Sequence, residues 1–228
     1  DHGAQLQQGA VVTGIQVDGG KVRGVETSEG DFSAPIVVNA AGAWAGQING
    51  LAGVDLPLDT WRHDTMFVLR PEGMEKTHPA AIDDPREMYF RPEGELTLVG
   101  LEDNNPIGES PDSDTDHAKP GFVERAIERI CLRIPAMEGG RLHSAHGGYD
   151  GITPDQFPML GPYGPEGYFL QCGFSGTGFK TAPAVGACMA EWILDGAPST
   201  VDVAVFSPSR FEEGRAVVRE HPYQQIWH

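Results

Sequence analysis

The residues best suited to binding chemistry form a glycine-rich stretch, residues 173–180, directly after a short apolar run at 168–172 that predicts a strand. Gly173, Gly176 and Gly178 allow positive φ angles and a close approach of the backbone to a ligand. Neither the G-x-S-x-G nucleophile motif nor the G-x-G-x-x-G dinucleotide motif is complete here. The pattern leaves two alternatives open: a ligand-binding loop, or a tight strand-to-helix turn that binds nothing.

A helix is predicted directly after this loop. Apolar residues recur at helical spacing and form one stripe: Val185, Cys188, Met189, Trp192 and Ile193. Pro183 suits the first helical turn, where its missing N–H costs nothing, and Gly196 lies where a C-terminal cap belongs. A strand, a glycine loop and a helix start would together direct unpaired N–H groups at one point, and the partial positive charge there suits an anion.

Other elements must position this stretch. Alternating patterns and turn residues predict strands and hairpins at 11–27, around 32, and at 36–40, 65–69 and 88–101. The continuous apolar run at 36–40 predicts a strand that is buried on both faces. The valines of the C-terminal tail are strand-like: Val201, Val203 and Val205.

Two further helices are predicted from apolar spacing. A short one places Trp44, Ile48 and Leu51 on one face, and an amphipathic one covers 122–134 and stops at Pro135. The polar, proline-containing stretch between the second hairpin and the second helix predicts a loop.

The composition limits the classes of function. The chain has 228 residues, of which 39% are hydrophobic and 21% charged, as in ordinary globular proteins. Its 33 acidic and 16 basic residues give a formal charge of −17, which argues against nucleic acid or an anionic membrane as a partner. The three cysteines lack C-x-x-C spacing, so neither a disulfide scaffold nor a zinc site is predicted. No apolar run reaches the roughly 18 residues of a membrane helix, and no signal peptide is visible, so a cytoplasmic location is expected.

Three segments resemble one protein family. Residues 173–186 resemble the pattern G-F-S-G-x-G-F-K-x-x-P-x-x-G of the C-terminal flavin loop in FAD-dependent amine and amino-acid oxidoreductases. Residues 36–44 are similar to that family's second FAD strand, and residues 149–155 with 158–161 are similar to its flavin-edge segment. The family includes D-amino-acid oxidase, glycine oxidase, sarcosine oxidase and dimethylglycine dehydrogenase. Three ordered matches indicate the family, but not one substrate.

The resemblance implies an α/β (α+β mixed) fold with two domains. One is a partial FAD-binding domain of the glutathione-reductase type with a β-meander, and the other is a substrate domain on a mixed, largely antiparallel sheet. We expect residues 1–55 to form the middle part of the FAD-binding domain, 56–143 the substrate-binding domain, and 144–228 the C-terminal part of the FAD-binding domain and a tail that only packs. The family's N-terminal G-x-G-x-x-G unit is not in this sequence, so the missing N-terminal FAD-binding segment is an expected partner.

FAD is the cofactor that the resemblance implies. The N–H groups of residues 176–179 are expected to stabilise the negative charge that a reduced flavin carries at N1 and the C2 carbonyl. The expected cofactor-binding residues are Val12, Ala41, Gly42, Trp44, Gly148, Tyr149, Gly173, Phe174, Ser175, Gly176, Thr177, Gly178, Phe179 and Lys180. Trp44 could equally pack in the core. Relatives with covalent flavin carry a cysteine near the flavin-edge segment, where residues 147–149 have none, so non-covalent FAD is predicted.

Four residues are candidates for the chemistry. In sarcosine-oxidase-like relatives the lysine that matches Lys180 lies where a substrate carboxylate binds beside the flavin; the alternative is a solvated lysine at a helix start. Tyr89 matches an active-site tyrosine, and Arg91 shares its strand face, where it could pair with a carboxylate or remain an exposed strand side chain. Glu102 lies where relatives place a polar active-site residue after the strand glycine, Gly100.

The function that the resemblance implies is oxidation of the C–N bond of a small amine or amino acid, such as an N-methylated glycine, by hydride transfer to flavin N5. Leu98 occupies the position of a lysine that sarcosine oxidases use in reaction with O2, which favours a dehydrogenase. The alternatives are a flavin-free fragment, a non-catalytic interaction subunit, or oxidation of another CH–OH or CH–NH substrate. His143 and His146 lack a nearby third ligand, so no metal site is predicted.

Overall fold

The computed structural model describes residues 3–74, 78–103 and 105–218. The chain divides into two compact units: unit 1 is Asp1–Asp59 with Gly151–His228, and unit 2 is Thr60–Asp150. The domain bounds predicted from the sequence lie a few residues before these. The functions predicted for the two domains stay predictions, and the end of the tail, residues 219–228, lies outside the described residues.

The described residues form strands and helices in mixed order. In chain order the strands are β1 (Val12–Asp18), β2 (Lys21–Thr27), β3 (Phe32–Ser33), β4 (Val37–Asn39), β5 (Asp59–Leu69), β6 (Ala81–Asp83), β7 (Met88–Glu93), β8 (Leu96–Leu101), β9 (Arg141–Ile152), β10 (Met159–Pro162) and β11 (Tyr168–Cys172). The α-helices are α1 (Ala45–Leu51), α2 (Phe122–Arg133) and α3 (Gly178–Asp195). This mixture of helices with antiparallel and mixed sheets confirms the predicted fold class.

Unit 1 contains two three-stranded sheets and the helices α1 and α3. The first sheet is a meander of order β1-β2-β3, and the second has the order β10-β11-β4, with β4 parallel to β11. The β1–β2 turn needs Gly19 and Gly20, which both have positive φ, as a two-residue hairpin turn requires. Apolar side chains from both sheets and α1 share one core, and α3 packs Val185 and Cys188 with Leu160 of β10.

Unit 2 is built on a five-stranded sheet of order β6-β7-β8-β5-β9. One face of the sheet packs on α2, and its core includes Met66, Val68, Met88, Phe90, Val99, Leu101, Phe122, Ala126 and Ile130. Successive side chains of a strand point to opposite faces, so the residues between these strand positions lie on the other face. We call it the polar face, and it carries His63, Tyr89, Arg91, Glu102 and Asp150.

Most of the predicted elements are confirmed. Both hairpins are present, and α2 ends one residue before Ile134. Helix α3 ends at Asp195 and is followed by Gly196, a left-handed C-cap with φ of 84°. The predicted strand at 65–69 is the second half of the longer β5. None of the helices in the described part of the chain combines the length and the apolar composition that a membrane span requires.

The prediction that Pro183 lies in the first helical turn is wrong. Helix α3 begins five residues earlier, at Gly178, and Pro183 lies in its interior. A proline there removes the N–H that would bond to the carbonyl of Phe179, four residues before it. Phe179 is 99% exposed, so water can take the place of that N–H.

Three other local predictions are also wrong. The tail valines form no strand: 3-10 turns occupy Ala204–Phe206 and Pro208–Arg210, and Val203 packs with α3 instead of pairing with a strand. The face that α1 buries carries Ala45 and Asn49, because small side chains let the short helix approach the sheet, while Trp44 and Leu51 are exposed. In β4 only Asn39 is buried, so that strand is not buried on both faces.

Candidate functional site

In unit 1 the carboxyl ends of two parallel strands lie side by side. β4 ends at Asn39 and β11 ends at Cys172, and Leu170 is the cross-strand partner of Asn39. The turn at 40–42 and the glycine loop at 173–177 therefore leave the same edge of the sheet. Ligands of open α/β sheets bind at the carboxyl ends of strands, so this edge is a candidate site.

The glycine loop adopts a backbone path that needs its glycines. Gly173, Ser175 and Gly176 have φ angles of 71°, 49° and 81°. A left-handed φ is uncommon for serine and is held only where the surroundings fix it. The buried Ser175 is fixed in this way: its N–H donates to the Gly151 carbonyl at 3.0 Å, and its Oγ donates to the Gly173 carbonyl at 3.3 Å.

The N-cap residue of α3, Thr177, forms hydrogen bonds with the glycine loop that precedes it. Its N–H and its Oγ1 both donate to the Phe174 carbonyl, at 2.9 and 2.6 Å. Among the N–H groups predicted to face the flavin at 176–179, that of Thr177 is therefore already engaged. Phe174 also supports the helix start, because its ring carbon Cγ lies 3.1 Å from where a Cβ of Gly178 would be.

The start of α3 remains open to a ligand. No side chain caps the helix, and the first N–H groups of a helix lack intrahelical acceptors. These groups give the start at Gly178 a partial positive charge. Within the described part of the chain, Gly176, Phe179 and Lys180 are exposed, so the end of the loop and the first turn are accessible there, whereas Gly173 and Ser175 are buried.

The buried Asn39 shapes the neighbouring turn. Its Nδ2 donates to the Ala45 carbonyl at 2.9 Å and to Asn49 Oδ1 at 2.8 Å, and its Oδ1 accepts the N–H of Ala41 at 3.1 Å. Gly42 follows with a φ of 56°, and no atom of the described residues lies within 4 Å of the position that its Cβ would take. The backbone at Gly42 is therefore open to close approach.

The last residues of β9 and the segment that follows it contact both turns. A Cβ at Gly151 would lie 2.9 Å from the Gly42 carbonyl oxygen, and the Gly151 carbonyl accepts the N–H of Ser175. Thr153 donates its N–H to Ser175 Oγ at 3.4 Å, and a Cβ at Gly173 would lie 2.6 Å from Thr153 Cγ2. The three segments that resemble the flavin family thus meet at one edge of unit 1.

These residues fit a flavin cofactor. The open space at Gly42 and the left-handed glycines of the loop permit close backbone contact with a flat ligand, and the uncapped start of α3 favours negative charge there. Ala41, Gly42 and the loop residues 173–178 would hold it.

On the polar face of unit 2, Tyr89 lies against a glycine. Tyr89 and Gly100 are cross-strand partners, and a Cβ at Gly100 would lie 2.1 Å from Tyr89 Cζ. Burial, followed by the negative charges of Glu102 and Asp150, raises the pKa of Tyr89, so its hydroxyl keeps its proton. Arg91 shares this face, but it forms an ion pair with its own strand neighbour Glu93.

His63 lies between two carboxylates on the same face. Its Nδ1 is 3.4 Å from Glu102 Oε1, and its Nε2 is 3.4 Å from Asp150 Oδ2. These separations are within ion-pair range for a protonated imidazole, yet neither His63 Nε2 nor Glu102 Oε1 forms a hydrogen bond to a described residue. Burial is the main cause that raises the pKa of Glu102, whose side chain is 3% exposed, against 47% for Asp150. From solvent inward the order is therefore Asp150, His63, Glu102.

The side chain of Tyr149 lies on the opposite face of the sheet, in a buried polar network. Arg62 donates from Nε to Asp64 Oδ1 at 2.9 Å and from Nη1 to the Tyr149 hydroxyl at 3.1 Å, and Tyr149 donates to Glu109 Oε2 at 2.9 Å. Burial alone would lower the pKa of Arg62, but its bonds to Tyr149 and Asp64 raise it. The Tyr149 hydroxyl is thus engaged within the protein, whereas its neighbour Gly148 has no atom within 4 Å of its Cβ position.

The structure brings together only part of the predicted site. Tyr89, Arg91 and Glu102 share the polar face of unit 2, and Lys180 lies at the helix start of unit 1. Val12 begins β1 in the other sheet of unit 1, and Trp44 is 42% exposed, which does not favour core packing for it. The cofactor and catalytic roles of all these residues stay predictions. Sequence reasoning missed His63, because its carboxylate partners are far away along the chain.

Comparison with known proteins identifies the class that this fold and site define, a flavin-dependent oxidoreductase. The profile of the family described as "DAO: FAD dependent oxidoreductase" matches residues 1–192. The chain therefore belongs to this family of FAD-dependent oxidoreductases.

Individual relatives agree with this assignment. Sarcosine dehydrogenase of Homo sapiens, described as mitochondrial, is 34% identical over 97% of this chain and 25% of its own length. FAD-dependent oxidoreductase domain-containing protein 1 of Bos taurus is 35% identical over 82% of this chain and 41% of its own. The structure of L-proline dehydrogenase from P. horikoshii has a TM-score of 0.84 at 28% identity and covers 93% of this chain and 56% of that one. The chain thus spans between about a quarter and just over half of the length of these relatives. The cytoplasmic location stays a prediction.

Proposed function

We propose that the chain is part of an FAD-dependent dehydrogenase that oxidises the C–N bond of a small amine or amino acid, such as an N-methylated glycine. Sarcosine and proline, which name two of the relatives, are amino acids with a substituted nitrogen. FAD, when bound, supplies the acceptor for the hydride that leaves the carbon next to that nitrogen.

The observation that carries the proposal is the arrangement of His63 between Asp150 and Glu102. An amine gives up a hydride readily only after its nitrogen has lost its proton, and small amines are protonated at neutral pH. Asp150, the exposed member, attracts the ammonium group. His63 takes up the proton at Nε2, on the side that faces Asp150, and the buried Glu102 stabilises the imidazolium from the Nδ1 side.

Tyr89 and Lys180 have separate roles in this proposal. The Tyr89 hydroxyl, which stays protonated, is a hydrogen-bond donor on the polar face of unit 2. In unit 1, Lys180 and the uncapped start of α3 offer positive charge to an anionic group of a ligand. Leu98, two residues before Gly100 on the same strand face, is apolar and buried, so that position has no cation to assist O2. Electron transfer to an acceptor other than O2 is therefore proposed.

Anaerobic reduction of the flavin tests this function. The complete natural protein that contains this chain is mixed with a panel of N-methylated glycines, and the loss of visible flavin absorbance is followed in wild type, His63→Gln and Glu102→Gln. His63→Gln should slow the reduction on the order of 100-fold, with a changed pH profile. His143→Gln is the matched control, because His143 is an exposed histidine of β9 whose ring contacts its neighbour Ser144.

The outcomes separate the parts of the proposal. A His63→Gln variant that reduces flavin at the wild-type rate would remove His63 from the proton path. No bleaching with any member of the panel would contradict the proposed substrate class. A protein that stays colourless with added FAD would favour the flavin-free alternative.

A further inference from the structure

Arg210 is fully buried although it carries a charge. It lies after α3, in the tail that the sequence predicts only to pack. Its Nε donates to Asp155 Oδ2 at 2.7 Å and its Nη2 to Asp155 Oδ1 at 2.9 Å, so the guanidinium forms a bidentate ion pair with the carboxylate. A buried ion pair adds little net stability over an apolar pair of similar shape, so its presence points to a geometric role.

Asp155 organises the turn that follows β9. The same carboxylate accepts the N–H of Phe157 at 3.2 Å and the N–H of Val217 at 3.0 Å. The Oγ1 proton of Thr153 lies between two acceptors, the Phe157 carbonyl at 2.7 Å and Asp155 Oδ1 at 3.1 Å. Arg210 also bonds to the backbone of this turn, because its Nη2 donates to the Phe157 carbonyl at 2.8 Å. Residues 153–157 and the tail segment 210–217 therefore form one connected polar network.

This network extends to the glycine loop through Thr153. The N–H of Thr153 bonds to Ser175 Oγ, and Thr153 Cγ2 fills the space next to the Cα of Gly173. Ser175 has a left-handed φ, which persists only where neighbouring groups determine it. A displacement of Thr153 removes one of these groups and leaves the loop free to relax.

We propose that Arg210 is a positioning residue for the glycine loop, acting through Asp155 and Thr153. It fixes the turn at 153–157, and this turn holds Ser175 in the conformation that shapes the loop for its ligand. The effect of Arg210 on ligand binding rests on the proposed cofactor role of the loop. Its effect on the conformation of the loop does not depend on any cofactor.

Amide hydrogen exchange on the 228-residue chain tests the structural content. The variants are Arg210→Lys, which keeps the charge but cannot grip both oxygens, and Asp155→Asn, which keeps the side-chain shape. Arg215→Lys is the matched control, because Arg215 is an exposed arginine of the same tail that pairs with Glu213. Exchange at the Ser175 and Thr177 amides is compared with exchange in β1 and β2, which belong to the same unit.

A positioning role predicts a local effect. Exchange at Ser175 and Thr177 should accelerate on the order of 100-fold in Arg210→Lys and in Asp155→Asn, with β1, β2 and the control unchanged. Equal acceleration throughout unit 1 would assign Arg210 to global stability and overturn the proposal, as would an unchanged loop. If Arg210→Lys does not fold, Asp155→Asn carries the same comparison, and failure of both to fold overturns the proposal as well.

FAD titration, followed by the flavin spectrum, separates this inference from the proposed function. Arg210→Lys should bind FAD at least about tenfold more weakly than wild type, and Arg215→Lys should bind it equally well. Local acceleration of exchange in a chain that binds no FAD even as wild type would support the positioning role and count against the cofactor role. Equal FAD affinity in Arg210→Lys and wild type would overturn the link between Arg210 and the ligand-binding shape of the loop.

Discussion

Replacing Gly100 by alanine should displace Tyr89 on the polar face of unit 2. Gly100 in β8 and Tyr89 in β7 are cross-strand partners, and a Cβ at position 100 would lie 2.1 Å from Tyr89 Cζ and 2.3 Å from its Oη. Carbon atoms attract each other best at about 3.5–4.0 Å, so the ring would have to withdraw by about 1.5 Å or rotate away. The glycine thus provides the space in which the ring lies.

Two contributions of opposite sign set the size of the effect. Forcing one extra carbon into a packed site costs about 1–3 kcal/mol. Alanine in place of glycine in a strand interior stabilises by about 0.5–1 kcal/mol, because the unfolded chain has less freedom to lose. Gly100→Ala should therefore lower the free energy of unfolding by up to about 2.5 kcal/mol, and should raise it by about 0.5–1 kcal/mol once Tyr89→Ala has removed the ring.

Urea unfolding of wild type, Gly100→Ala, Tyr89→Ala and the double variant gives the coupling between the two residues. We expect a coupling of about 1–3 kcal/mol. Gly50→Ala is the control, since no atom lies within 4 Å of its Cβ position in α1, and it should stabilise by about 0.5–1 kcal/mol. The reasoning is refuted if Gly100→Ala has the same cost with and without the Tyr89 ring, because the cost would then arise from the backbone.

Three other substitutions test the packing and the electrostatics of the candidate sites. Burial raises the pKa of Glu102, so the folded protein loses stability as pH rises through the folded-state pKa and this carboxyl group ionises. Glu102→Gln should therefore raise the free energy of unfolding at about pH 8 and leave it unchanged at about pH 3, which is below the ordinary pKa of a glutamate. Urea titrations of both proteins at the two pH values measure this difference. A Cβ at Gly147 would lie 2.3 Å from Arg62 Nη2, so Gly147→Ala should disrupt the buried Arg62 network and lower the free energy of unfolding by about 3–5 kcal/mol. An unchanged midpoint of urea unfolding would contradict this packing. Asn39→Leu removes three hydrogen bonds, to Ala41, Ala45 and Asn49, and should lower the free energy of unfolding by about 1–3 kcal/mol because the partner groups are left unsatisfied. An FAD titration should show weaker binding. Full FAD affinity would show that Asn39 does not shape the cofactor turn.

The fold follows from the sequence where local signals agree with long-range contacts. The β1–β2 turn carries its own glycines, and the apolar stripe of α2 is ended by a proline, so both elements are specified locally. The start of α3 is not specified in this way. Gly178 is a poor helix former, and only its packing on Phe174 and the engaged Thr177 fix the start there.

The candidate site is predictable only where alternation along one strand or a family motif indicates it. The period of two along β7 places Tyr89 and Arg91 on one face, and the three motif segments predict the edge where the glycine loop lies. His63 and Arg210 carry no such local signal. Each acquires its role from a carboxylate that is distant in sequence, Glu102 and Asp155 respectively, and only the folded chain brings these pairs together.

The register of β5 links both faces of unit 2. Met66 lies in the core, and Arg62 and Asp64 continue its face of the strand as a buried ion pair, whereas His63 lies on the polar face. Side chains alternate along a strand, so a slip of one residue would turn His63 into the core and expose both charges. Arg62 also donates to the carbonyls of Asp114 at 2.6 Å and His117 at 2.9 Å, and a slip of one residue would remove both bonds because it would move Arg62 to the other face. The buried Arg62–Asp64 pair therefore costs desolvation energy on one face of the sheet. The strand register that its bonds favour places His63, the proposed proton acceptor, on the other face.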